Sequence, residues 1–140
     1  MSSTYISADL RRQVVERAKN CCEYCLMPQH LSLVSFAIDH IIAEKHGGKT
    51  HPDNLALSCP ICNRYKGSDI ASIDSETGRL SAFYHPRTDT WREHFSIQGA
   101  LFSPLSGKGR VTIKILQINR IERVAERALL IKSGLLKPIQ

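Results

Sequence analysis

Two Cys-x2-Cys pairs, Cys22-Glu-Tyr-Cys25 and Cys59-Pro-Ile-Cys62, constrain this chain more than any other feature of its 140 residues. Each tight knuckle delivers two sulfurs, two knuckles can converge on one tetrahedral ion, and four soft thiolates suit Zn2+ best. Disulfides would need an exported, oxidising context. The start MSSTYISADL has neither the basic region nor the apolar stretch of a secretory signal, and no apolar run approaches the roughly 18 residues a membrane span needs. The expectation is a cytoplasmic chain, without a membrane partner, pinned by a structural zinc. Cys21 is left over: it would put three residues rather than two before Cys25, so Cys22 is the preferred ligand and Cys21 the alternative.

The knuckles are separated by 33 residues, whereas a plain zinc ribbon separates them by about 15 to 20. Something else is housed between them. Val34, Phe36 and Ile38 alternate with Ser35, Ala37 and Asp39 as a half-buried strand requires, which puts Asp39 and His40 at its end. AEKHGGKTHPDN is rich in turn formers and reads as a loop, NLALS as a short return strand. Pro60 suits the first turn of a helix begun near Cys59, and Gly67 its stop. The centre therefore reads strand, loop, strand, helix. On that helix Cys62 and Asn63 differ by about 100° of rotation, so one can face zinc and the other a cleft.

Outside the centre, residues 7–19 read as an amphipathic helix with Ser7 as N-cap. Residues 68–107 read mostly as loop, with Trp91 and Phe95 at helical spacing for packing. Val111, Ile113 and Ile115 alternate as a strand. Asn119 and Glu122 then form a capping-box pair opening a helix that runs to about Lys132, with Ile121, Val124, Ala125, Ala128 and Leu129 as its inner stripe and Arg120, Arg123, Arg127 and Lys132 outside.

The segment DHIIAEKHGGKTHPDNLALSCPICNRYKG with its upstream CEYC resembles the HNH endonucleases. That resemblance implies an α+β fold: a small ββα-metal (HNH/His-Me finger) domain with a four-cysteine zinc site and flanking N- and C-terminal helices. It implies His40 as general base, Asp39 and Asn63 as protein ligands of a catalytic divalent ion, Mg2+ or Mn2+, and Asn54 as the residue that braces the loop. Where the family name has its last His, this chain has Asn63. The chemistry is coherent, because phosphodiester hydrolysis needs a deprotonated water, charge neutralisation at phosphorus and help for the departing oxygen.

Charge adds a softer argument. Of the net +6, residues 1–100 contribute nothing, with 11 Lys/Arg against 11 Asp/Glu, while residues 101–140 hold 8 against 2. A basic end beside a neutral body suits a polyanion such as double-stranded DNA. Arg64, Lys66, Arg120, Arg123 and Arg127 are the candidate phosphate contacts. The expected organisation is one domain over residues 1–140, with a nuclease core at about 20–70 and a basic strand-helix extension at about 108–134, acting as monomer or homodimer. The alternative function is a catalytically inactive, zinc-stabilised nucleic-acid-binding module.

Overall fold

The computed structural model describes residues 4–137. Their contacts group them into two compact units, one running to Ile70 and including His85–Thr88, the other formed by Ala71–Tyr84 and the chain from Asp89 onward. No helix among the described residues is long and apolar enough to cross a membrane. The mixed α+β class read from the sequence is observed, with three two-stranded antiparallel sheets among the described residues.

In the first unit, α1 (Ala8–Arg17) starts where the Ser7 hydroxyl accepts a hydrogen bond from the Leu10 amide at 3.1 Å, satisfying one of the amides a helix start leaves open. Its Val14 is fully buried. Lys19 and Asn20 then take left-handed backbone angles, which ends the helix and turns the chain into the first cysteine knuckle. Strand β1 (Ala37–His40) pairs antiparallel with β2 (Leu55–Ser58), His40 opposite Leu55 and Asp39 opposite Ala56. The strand begins later than the alternation suggests, because the Ser32 hydroxyl bonds both the amide and the carbonyl of Val34 and holds that exposed residue in a turn.

Helix α2 (Pro60–Lys66) follows β2 directly and packs on β1. Cys59 caps it, its sulfur accepting from the Cys62 amide at 3.3 Å, and Pro60 occupies the first turn, where a missing N–H costs nothing. Phe36, Ile41, Leu55 and Leu57 join Val14 and the four knuckle cysteines in the buried core.

In the second unit, β3 (Ala71–Ile73) and β4 (Leu80–Ala82) form one hairpin and β5 (Phe95–Gln98) and β6 (Leu101–Pro104) another, with α3 (Trp91–His94) leading into β5. Both hairpins lie in the stretch read as loop. Trp91 packs tilted on Phe95 at 5.2 Å and edge-on to Phe102 at 5.6 Å between centroids, so the pair serves packing as expected.

Three C-terminal expectations are corrected. Residues 111–115 are not a strand: α4 (Gly107–Ile115) runs through them, capped by Ser106, whose hydroxyl accepts from Gly109 N at 3.0 Å. The two glycines that weaken the helix signal include one required by packing, since a Cβ on Gly109 would lie 2.2 Å from the carbonyl oxygen of His94. The capping box does not form before α5 (Ile121–Lys132), because the Asn119 side chain instead bonds both the amide (2.9 Å) and the carbonyl (2.7 Å) of Phe102.

The faces of α5 are also reversed at their key positions. Arg123 and Arg127 are buried while Ile121 and Leu129 are exposed. Arg123 donates to the carbonyls of Leu116 (2.9 Å) and Gln117 (3.3 Å), satisfying acceptors that the end of α4 leaves open. Arg127 donates to Ala100 O and Ile118 O, each at 2.9 Å, and stacks over Phe102. Their cationic heads are consumed by backbone oxygens, so the expectation of Arg123 and Arg127 as phosphate contacts is corrected to an internal role. Arg120 remains on the surface, paired with Glu122 at 2.9 Å.

Candidate functional site

The sulfurs of Cys22, Cys25, Cys59 and Cys62 all lie within 4.8 Å of one another and are buried, with Cys25 and Cys59 at 3.7 Å. Zinc–thiolate bonds of about 2.3 Å place tetrahedral sulfurs about 3.8 Å apart, so the cluster is compatible with a zinc site. Cys21 stands outside it, its thiol donating to the Lys19 carbonyl at 3.4 Å. Burial pushes the Cys22 and Cys62 thiols well above their ordinary range, and a central dication would offset that cost because the thiolate is the ligating form.

The first knuckle is fixed to the sheet by its own intervening residues. Glu23 N donates to Leu57 O at 2.8 Å, the Glu23 carboxylate accepts from Leu57 N at 2.9 Å, and Arg87 pairs with the same carboxylate. Tyr24 is fully buried, and its hydroxyl donates to Asp39 Oδ2 at 3.0 Å.

Asp39 and His40 are both buried at the end of β1, on opposite faces of the strand as adjacent residues must be. Asp39 Oδ2 also receives the Lys66 ammonium at 3.0 Å, and Lys66 Nζ reaches the His40 carbonyl at 3.3 Å. Burial raises the Asp39 carboxyl above its usual range, opposed by the Lys66 charge and by the bonds from Lys66 and Tyr24. Only 2% of Lys66 is exposed, so the phosphate contact expected of it is corrected to an internal ion pair. Arg64 is exposed, its guanidinium 5.2 Å from the Tyr65 ring centroid.

The loop between the strands carries the partners of His40. Its Nε2 lies 2.8 Å from the Thr50 hydroxyl and 3.4 Å from the Glu44 carboxylate, while Nδ1 has no hydrogen-bond partner among the described residues. Asn54 ties the loop together: Oδ1 accepts from Ile42 N, and Nδ2 donates to Ile42 O and Lys49 O, each at 2.9 Å. Gly48 makes that closure sterically feasible, since a Cβ there would fall 1.7 Å from Ile42 O. Asn63 is half-buried on α2 immediately after Cys62; its backbone bonds Cys59 O and Gly67 N, and its side chain has no hydrogen-bond partner among the described residues. Arg120, Arg123 and Arg127 belong to the other unit.

The elements just described, from the first clamp cysteine to the turn after α2, are one continuous stretch. Residues 22–69 match the HNH endonuclease family. No curated protein and no solved structure matches the chain. The matched stretch, called the HNH segment below, contains the four-cysteine cluster, β1, β2, the Asn54-braced loop and α2, and the match suggests a nucleic-acid substrate.

Four residues of the HNH segment contribute without standing out in the sequence. Glu44 follows His40 by four and Thr50 by ten, inside the loop that carries the reactive residues. Tyr24 lies in plain view between two ligands, but nothing local says that its hydroxyl meets Asp39, 15 residues on. Glu23 is equally hidden, its partners Leu57 and Arg87 being distant in sequence.

Proposed function

We propose that this chain is a metal-dependent HNH endonuclease that hydrolyses phosphodiester bonds of double-stranded DNA inside the cell, with zinc as its structural ion. The observation that carries the reading is His40: a buried imidazole at the strand end, next in sequence to Asp39 and within the HNH match, held through Nε2 by Thr50 and Glu44 with no hydrogen-bond partner for Nδ1 among the described residues. Donation from Nε2–H sets the tautomer that leaves a lone pair on Nδ1.

His40 Nδ1 takes a proton from water as its oxygen bonds to phosphorus; the bond from phosphorus to O3′ breaks, and O3′ is protonated from solvent. The products carry 5′-phosphate and 3′-hydroxyl ends. Asp39 and Asn63 would hold the second ion, their carboxylate and amide oxygens being hard donors suited to Mg2+ or Mn2+. When bound, that ion supplies charge neutralisation at the phosphate and support for the departing oxygen. Asn54 keeps the loop closed so that Thr50 and Glu44 stay on the His40 ring, and exposed Arg64 is suited to a neighbouring phosphate.

The test is incubation of zinc-loaded protein with plasmid DNA and Mg2+ or Mn2+. Wild type is expected to nick or linearise the plasmid and His40→Ala to lose at least about 100-fold in rate, the range of general acid–base catalysis. Equal behaviour of the two proteins refutes the enzyme. One observation favours the alternative, a silent binding module: Lys66 already neutralises the Asp39 carboxylate. That reading predicts salt-sensitive DNA binding with no cleavage under either metal.

A further inference from the structure

The buried phenol of Tyr24 joins two sites that the HNH reading treats separately. It sits between ligands Cys22 and Cys25, and the Glu23 backbone and carboxylate lock the same knuckle to Leu57 on β2, the strand paired with β1. The fully buried ring therefore belongs to a knuckle that carries two of the clamped sulfurs and is hydrogen-bonded to the sheet. Its hydroxyl reaches Asp39 Oδ2, which the Lys66 ammonium also holds, whereas Oδ1 has no hydrogen-bond partner among the described residues. Two anchors on one oxygen fix the rotation of the carboxylate and leave the other oxygen open. Groups that orient a metal ligand in this way account for much of its affinity.

We propose that Tyr24 is a positioning residue through which the zinc knuckle sets the orientation of Asp39, presenting Oδ1 as a single oxygen ligand to the catalytic ion. The inference rests on the proposed assignment of Asp39 as a ligand of that ion. Zinc in the clamp thereby governs affinity at the second metal site without touching it.

Tyr24→Phe keeps the ring and removes the hydroxyl that reaches Asp39. Mn2+ binding to zinc-loaded protein is followed by the electron paramagnetic resonance signal of free Mn2+, beside zinc content by atomic emission. The expected result is one zinc per chain and Mn2+ affinity weakened by about 10-fold or more. In an Asp39→Asn background the same change should add less than about twofold, because the ligand it acts through is already altered. Unchanged Mn2+ affinity in Tyr24→Phe, or an equal drop in both backgrounds, overturns the tether while leaving a wild type that binds Mn2+ and cleaves DNA. A wild type that neither binds Mn2+ nor cleaves overturns the tether and the nuclease reading together. Should Tyr24→Phe fail to load zinc, wild-type protein carrying 13Cζ-tyrosine decides: the resonance of Tyr24 must shift on adding saturating Mg2+, and a static one refutes the tether.

Discussion

Replacing Asn54 with alanine removes three hydrogen bonds at once and leaves the Ile42 amide and carbonyl without their side-chain partner. The two bonds to Ile42 are part-buried and the one to Lys49 is exposed. At a net value of about 1 kcal/mol for each part-buried bond and about 0.5 for the exposed one, the loss is about 2–3 kcal/mol. For a unit of this size each kcal/mol moves the melting midpoint by about 4–8 °C, so the shift should be on the order of 10–20 °C. Zinc must be kept at one fixed excess, because any ligand of the native state raises the midpoint by mass action. Asn54→Asp separates geometry from mere loss of bulk: its carboxylate can accept from Ile42 N but turns negative charge toward two carbonyl oxygens. It should melt below Asn54→Ala at pH 7 and recover as the new carboxyl is protonated. Cleavage should fall by about 10- to 100-fold in both, since Thr50 and Glu44 ride on the untied loop and misplacement of a catalytic group by about 1 Å has that cost. A midpoint within about 2 °C of wild type for Asn54→Ala would refute the bracing argument.

Cys59→Ser should abolish stoichiometric zinc and unfold the first unit at ambient temperature, whereas Cys21→Ser should bind zinc as wild type does; metal content and circular dichroism check both. Arg127→Ala should destabilise by about 2–4 kcal/mol in urea titration, because it strips bonds from Ala100 O and Ile118 O and uncovers Phe102. Asp74 accepts two bonds from Arg110 and others from Glu76 N and Thr77, which hold its carboxyl well below the usual range. A depressed pKa gives stability that is present above the unfolded value of about 3.9 and lost as pH falls below it. The melting midpoint should thus drop with acidification from about pH 5 downward, and Asp74→Asn should flatten that drop.

The cysteine clamp and the strand, loop, strand, helix run are legible because their signals are local: two-residue spacings, turn formers, and proline at a helix start. The same locality misleads further on. Val111, Ile113 and Ile115 alternate as a strand would, yet the backbone there is decided by the Ser106 cap and by the close approach that demands Gly109. Charge alone points the arginines of α5 outward, but a guanidinium has five donors and can enter a protein wherever backbone oxygens await them. Lys66 is hidden for a related reason, since its countercharge Asp39 lies far back in the sequence on β1 and only the packing of α2 on that strand brings the two together. Within the site, residue types are readable and partnerships are not: His40 can be picked out, but not that Thr50 and Glu44 hold its ring.

Cations held inside a protein keep their charge but cannot touch a phosphate. Lys66, Arg123 and Arg127 count toward the formal charge of +6, yet each is buried against a carboxylate or backbone oxygens. Each phosphate neutralised by a displayed cation releases condensed counterions and steepens the fall of log K with log salt by about 0.9 for duplex DNA. Had those three met phosphates, the slope would be steeper by about 2.7. If the chain binds a duplex as proposed, its salt slope should be set by the cations it displays and should lack the share that these three would have added.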